Sequence, residues 1–234
     1  MKPLLKKLIL GSSPSIEPVS AIKGRIKNIK AIWNNEHDDD MGIEKIFRLI
    51  LAASPFIFPG MYIKEWMGRK GKSYQDLSVD ILVLIKVGFP LIILYNGLQH
   101  NFFVMAVLIW FMAETVLYVP TLIFASDSLS RPRSYRRSML LLFLNYIEII
   151  FDFGVIYSSG NFFNKPFVEW FDPIYFSFVT SSTLGYGDYY PIAPLGKLLV
   201  SCHSIVFLIF VVLFINFFSS KMESTGYFDH TKKS

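Results

Sequence analysis

The chain has 234 residues, 53% of them hydrophobic and only 18% charged, with a mean hydropathy of +0.43 and a net charge of +5. A soluble domain carries about 25% charged residues, and here the charges avoid several long apolar stretches, as they do in membrane proteins. The single cysteine, Cys202, excludes an intramolecular disulfide framework, and no Cys/His spacing or nucleophile–base pattern reads as a zinc site or an enzyme.

Residues 1–45 are basic at first (Lys2, Lys6, Lys7, Lys23, Arg25, Lys27, Lys30) and then acidic (Asp38, Asp39, Asp40). Lys6 and Lys7 interrupt the opening run, so no signal peptide is expected. The composition predicts a solvated, partly disordered cytoplasmic tail; an amphipathic segment resting on anionic lipid is the alternative. In residues 46–76, the apolar stretch Ile46–Ile63 is broken by Pro55 and Pro59 and has basic residues on both sides. This predicts an interfacial or re-entrant segment followed by a cytoplasmic loop. Residues 77–126 hold two accessory spans, Leu77–Leu98 and Phe102–Ala125, each near the roughly 20 residues a bilayer requires.

Residues 127–137 form a basic linker whose Arg131, Arg133, Arg136 and Arg137 read as a topology signal and as a lipid-facing surface. Residues 138–220 hold two more spans, Met139–Tyr157 and Leu195–Phe218, and residues 221–234 a short tail. The Lys/Arg bias places segments 64–76 and 126–137, and both termini, on the cytoplasmic side.

Four ionisable residues interrupt the spans: Lys86, Glu114, Glu148 and Asp152. Lys86 lies nine residues from Leu77, Glu114 eleven from Ala125 and Glu148 ten from Ser138. At about 1.5 Å per residue, all three reach similar depth. Asn145, Glu148 and Asp152 share one helix face. The expectation is a buried ion pair of Lys86 with Glu114 or Glu148; the alternative is a proton- or ligand-sensing site. No span repeats arginine at every third position, so a voltage sensor is not expected.

Between the last two spans stands Asp172-Pro-Ile-Tyr-Phe-Ser-Phe-Val-Thr-Ser-Ser-Thr-Leu-Gly-Tyr-Gly-Asp188. Asp172 reads as an N-cap and Pro173 as the first helical residue of a helix too short to cross a bilayer. The C-terminal dipole end of such a helix favours a cation. Alternating glycines then suit a backbone that aims successive carbonyls to one side, and Thr183 adds a hydroxyl.

TSSTLGYGD resembles the selectivity-filter signature of the potassium channel family, T-x-x-T-x-G-Y-G-D, with Pro191 and Gly196 where many members have a proline and a glycine. The resemblance covers residues 138 to about 220. It implies an all-α membrane protein: an outer helix–pore helix–filter–inner helix module in a tetrameric pore, with accessory transmembrane helices. It implies a passive, potassium-selective channel in the plasma membrane, assembled as a homotetramer, with K+ as permeant ion, no cofactor and no nucleic-acid partner. The carbonyls of Thr183, Leu184, Gly185 and Tyr186 and the Thr183 hydroxyl would form the ion sites, with Gly187 closing the run. Asp188 would stand at the outer mouth, supported by Tyr175 where the family often has a tryptophan. Leu208, Val211, Ile215, Asn216 and Ser219 would line the pore. Two departures matter: Leu184 replaces the commoner valine, and Phe207 stands where a hinge glycine is frequent. Cys202 and His203 are expected to pack or bond behind the filter. The run after Ser220 holds no gating domain, so regulation is expected from the front helices, lipid, pH or a separate protein. A nonconducting, modulatory subunit is the alternative function.

Overall fold

The computed structural model describes residues 17–18, 20–36, 39–125 and 134–222, the last six by backbone alone. Among these residues the fold is all-helical, without a strand; Phe163 and Pro191 form an isolated antiparallel bridge. The helices are α1 (Ala21–Trp33), α2 (Gly42–Ala53), α3 (Pro59–Gly68), α4 (Lys72–Tyr95), α5 (Phe102–Phe124), α6 (Tyr135–Ser158), α7 (Asp172–Ser181) and α8 (Pro194–Met222). Helices α4, α5, α6 and α8 are long and apolar enough to cross a membrane. This accords with the all-α membrane class that the sequence predicts.

The accessory pair forms an antiparallel hairpin. The Asn101 side chain accepts from the amides of Phe103 and Val104 and so starts α5 sharply. Pro90 and Pro120 lie inside α4 and α5 without ending them; neighbouring helices make such breaks tolerable in a membrane. Helix α4 lies along α6, while α5 contacts both α6 and α8.

Lipid is as apolar as leucine, so these helices are held by close packing rather than by exclusion of water. One cluster gathers Val119 of α5, Leu142, Ile149, Phe153 and Tyr157 of α6, Phe176 of α7, and Phe210 and Leu213 of α8. A second joins Ile93 and Leu94 of α4 to Leu108, Val155 and Ile174.

Three boundaries depart from the sequence reading. Helix α4 begins at Lys72, inside the expected loop, and α6 begins at Tyr135, inside the expected linker. The larger correction concerns the expected disordered tail, where residues 21–33 are helical. The Ser20 hydroxyl accepts from the Lys23 amide and donates to Glu65, whose carboxylate also accepts from the Ile22 amide. That long-range cap, with buried Ala31 and Ile32, orders a segment whose own composition is polar.

The stretch 46–63 is not one helix. A 3₁₀ turn at Ser54–Ile57 separates α2 from α3, and the chain bends by 70° there. Helix α2 buries Arg48, Leu51 and Ala52, with Arg48 paired to Asp40. It leaves Ile43, Ile46, Phe47 and Ile50 exposed along one stripe.

Arg137 is corrected as well. It does not face lipid freely: its guanidinium donates to the Asp80 carboxylate at 2.6 Å and to the Asp76 carbonyl at 2.7 Å. It therefore ties the start of α6 to the start of α4. Arg136 is exposed, while Arg131 and Arg133 lie outside the described residues.

Candidate functional site

The segment between α6 and α8 carries the chemistry singled out by sequence. Its short helix α7 starts one residue earlier than expected: Phe171 is the N-cap and Asp172 already belongs to the first turn. The Asp172 carboxylate does not cap its own helix. It accepts from the amides of Val168 (2.9 Å) and Glu169 (3.1 Å) and from the Tyr189 hydroxyl (3.1 Å). Partial burial would raise this carboxyl, but the three donors outweigh it and hold it below the ordinary aspartate value.

At its other end α7 closes in a Schellman motif. The Leu184 amide reaches back to the Val179 carbonyl and the Thr183 amide to Thr180, with Ser182 as C-cap. Thr183 takes the left-handed position, at φ +58°. Glycine or asparagine usually occupies that position, because a β-carbon there costs about 1–2 kcal/mol. Gly185 (φ +62°) and Gly187 (φ +79°) continue the pattern. Positive φ thus recurs at every second residue, 183, 185 and 187, with Leu184 and Tyr186 between them. Such alternation turns successive carbonyls toward one side of the chain. The segment lines a cleft of about 300 Å³ with Val179, Thr180 and Ser204, and the side chains of Leu184 and Tyr186 are exposed.

Beyond Gly187 the chain is fastened from outside. Tyr175 donates to Asp188, and burial followed by this bond pushes the phenol up from its ordinary value. Asn164 brackets the returning chain: its amide donates to the Tyr190 carbonyl, and its side-chain oxygen accepts from the Tyr190 amide. Lys165 lies over the Tyr189 ring at 4.3 Å. At Gly196 a β-carbon would stand 2.8 Å from Phe162 Cβ and 3.0 Å from its carbonyl oxygen. Only glycine lets α8 start that close to the 162–163 backbone.

Behind the segment, His203 is 1% exposed and joins three helices. Its Nδ1 meets the Tyr157 hydroxyl of α6 at 2.9 Å, and its Nε2 meets the Ser181 hydroxyl of α7 at 2.8 Å. The ring stacks on Phe153 at 4.0 Å. His203 thus bonds where the sequence places it, while Cys202 is exposed. Tyr157 and Ser181 escaped the sequence reading, because neutral hydroxyls in apolar segments carry no charge signal.

On α8, Leu208, Ile215 and Asn216 are exposed, Val211 is half-buried, and the Ser219 side chain lies outside what is described. Leu198, Ser201, Ile205, Leu208, Val212 and Ile215 form one exposed line with spacings alternating between three and four. The heptad spacing would have disclosed Leu198, Ile205 and Val212, which the sequence reading did not name. Val211 falls off that line. The helix runs through Phe207 without a break.

The charge cluster forms as a unit between α4, α5 and α6. Lys86 Nζ lies 3.0 Å from Glu148 Oε1 and 3.7 Å from Glu114 Oε2. Thr115, unforeseen from sequence, accepts from Lys86 and donates to the Glu148 carboxylate at 2.9–3.0 Å. Asp152 is buried one turn along α6 and joins neither ion pair, and its Oδ2 finds no hydrogen-bond donor among the described residues. Gly60 of α3 abuts Glu114, so that a β-carbon there would overlap the Glu114 Oε1 atom.

Among the described residues no cluster of His, Cys, Asp and Glu is arranged to hold a metal ion.

Residues 140–224 match the family model described as an ion channel. The match runs from α6 through α7 and the 183–187 segment into α8, and it supports ion transport across a membrane. No curated protein and no solved structure matches the chain.

Proposed function

We propose that this chain is the pore-forming subunit of a homotetrameric, potassium-selective channel that conducts passively and has no arginine voltage sensor. The observation that carries the reading is the alternation of positive φ at Thr183, Gly185 and Gly187 directly after the C-terminal end of α7. A dehydrated cation needs a column of oxygens in place of its water, and one-sided carbonyls supply it only when several chains face a common axis. The exposed heptad line on α8 supports such self-association, since interdigitating helices bury this spacing. In this reading Thr183–Gly187 form the ion sites, Tyr175 and Asp188 brace them, and Leu208, Ile215, Asn216 and Ser219 border the pore. The channel resides in the plasma membrane with both termini cytoplasmic. Anionic lipid contacts Arg136 and its neighbours, and a separate regulatory protein is compatible with the architecture.

The test is the reversal potential of purified protein in planar bilayers under a potassium/sodium bi-ionic gradient. Reversal near the potassium equilibrium value is expected. Current without selectivity overturns the potassium assignment. Silence across pH, voltage and lipid composition overturns autonomous conduction in favour of a modulatory subunit.

A further inference from the structure

The Lys86 cluster holds more acid than base. Glu114, Glu148 and Asp152 contribute three carboxyls, and among the described residues Lys86 is the one cation bonded to them. Lys64 of α3 is within electrostatic reach of Glu114 and is itself influenced by Arg25, Arg137 and Asp76. Lys86 is shared between Glu148 and Glu114, and among the described residues no ion pair reaches Asp152. Its side chain is 2% exposed, and its Oδ2 atom has no donor.

The other groups packed around α6 offer no compensation. On α5, Thr115 is committed to Glu148, and Tyr118, one turn on, interacts with Arg25 and Arg137. On α7, the Ser177 hydroxyl donates to the Ile150 carbonyl. On α8, His203 is held by Tyr157 and Ser181, and its ring faces Phe153. An ionised carboxylate with neither a cation nor a donor of its own is among the costliest arrangements a membrane interior can hold.

We propose that the cluster is an intramembrane proton-binding site and that Asp152 holds one proton at neutral pH. The proton removes the one charge that has no paired cation: Lys86 faces Glu148 and Glu114, and Asp152 is a neutral acid. Its removal returns an unmatched negative charge beside Glu148. Among the described residues the cation within reach is Lys86, which must then be shared between Glu148 and Asp152, one turn apart on α6. Such sharing pulls Lys86 away from Thr115 and loosens the joint between α4, α5 and α6. With the channel function proposed above, on which this one consequence rests, the joint bears on conduction. Val119, one turn beyond Thr115, packs in the cluster that contains Phe210 and Leu213 of α8.

The site can be tested without measuring any current, so its failure is distinguishable from failure of the channel reading. Full-length protein in vesicles of ether-linked phosphatidylcholine, which has no ester carbonyl, is equilibrated on both sides and titrated while the infrared carbonyl band of protonated carboxyl groups is followed. A band is expected at neutral pH and should disappear on alkalinisation. Carbon-13 labelling of the aspartate carboxyls should shift it, and Asp152→Asn, which copies the shape of the neutral acid, should remove it. No band at neutral pH overturns the proposal. A band unmoved by the aspartate label, or one retained in the variant, assigns the proton elsewhere and overturns it equally. The label places the proton on an aspartate even if the variant does not fold, and of the buried aspartates described, Asp40 is paired with Arg48 whereas Asp152 has no ion pair.

Discussion

Two polar knots sit on different faces of α6, and they are built on opposite terms. The His203 knot is neutral and complete: both ring nitrogens have partners, the ring stacks on Phe153, and aromatic side chains surround it. The Lys86 knot is charged and incomplete: one lysine serves two carboxylates, and a third lies beside it with an Oδ2 that has no donor among the described residues. A complete neutral network fixes one geometry, because any rearrangement strands a buried group. A charged network short of partners has alternatives that exchange with a proton. The first knot, through Ser181, backs the Thr183–Gly187 segment, which the proposed role as ion sites would hold to a single geometry. The second lies where the accessory layer meets α6, the joint through which control of the channel would pass.

The largest expected effect comes from breaking the charged knot. Lys86→Met removes the cation from Glu148, which is fully buried, and severing a buried pair from one side costs about 3–5 kcal/mol. Thermal unfolding in detergent should show a large fall in melting temperature, with loss of a monodisperse species. Adding Glu148→Gln should recover part of the loss. If the single variant melts like the parent, the knot is not a structural joint.

His203→Phe tests the other side of the comparison. The stacking on Phe153 survives, but the hydroxyls of Tyr157 and Ser181 lose their partner, at about 1–3 kcal/mol each. The neutral knot should be repairable by apolar replacement. Adding Tyr157→Phe and Ser181→Ala should return stability toward the parent, to a greater extent than Glu148→Gln rescues Lys86→Met. Equal rescue in the two series would erase the distinction between the knots. Gly196→Ala should act through sterics alone, since its β-carbon would press on Phe162. A loss of about 1–3 kcal/mol is expected for such overpacking, with no dependence on pH.

The equal depth of Lys86, Glu114 and Glu148 was legible because helical rise is constant and charges in apolar runs stand out. Thr115, which bridges them, was not, because a threonine in a span is ordinary until its neighbours are known. Helix α1 was hidden for a related reason: its N-cap Ser20 is held by Glu65, more than forty residues away. The Asp172 register failed by one residue because its carboxylate serves the preceding loop rather than its own helix, and a carboxylate at that position looks the same in sequence either way. Arg137 was misplaced because loop bias reports the side of the membrane, not the partner. The glycines at 185 and 187 were readable as positive-φ positions. The strain at Thr183 was not, because a β-branched residue argues against that conformation.

The smallest expected effect separates the knots from the surface. Asp172 is held below the ordinary aspartate value by the amides of Val168 and Glu169 and the Tyr189 hydroxyl, against the opposing effect of burial. A depressed carboxyl adds stability that is fully present above the unfolded value, about 3.9. That stability is lost as pH falls through the folded value. Between pH 7 and pH 5 this anchor should therefore contribute no change. Below about pH 4 the loop at 168–172 should loosen from Tyr189, and Asp172→Asn should abolish the acid-dependent part. The carboxylate is solvated enough that screening keeps the effect under about 1 kcal/mol. Hydrogen exchange at the Val168 and Glu169 amides resolves a loss of that size, where a melting curve does not. A stability change between pH 7 and pH 5 that persists in Asp172→Asn cannot come from this anchor or from neutral His203.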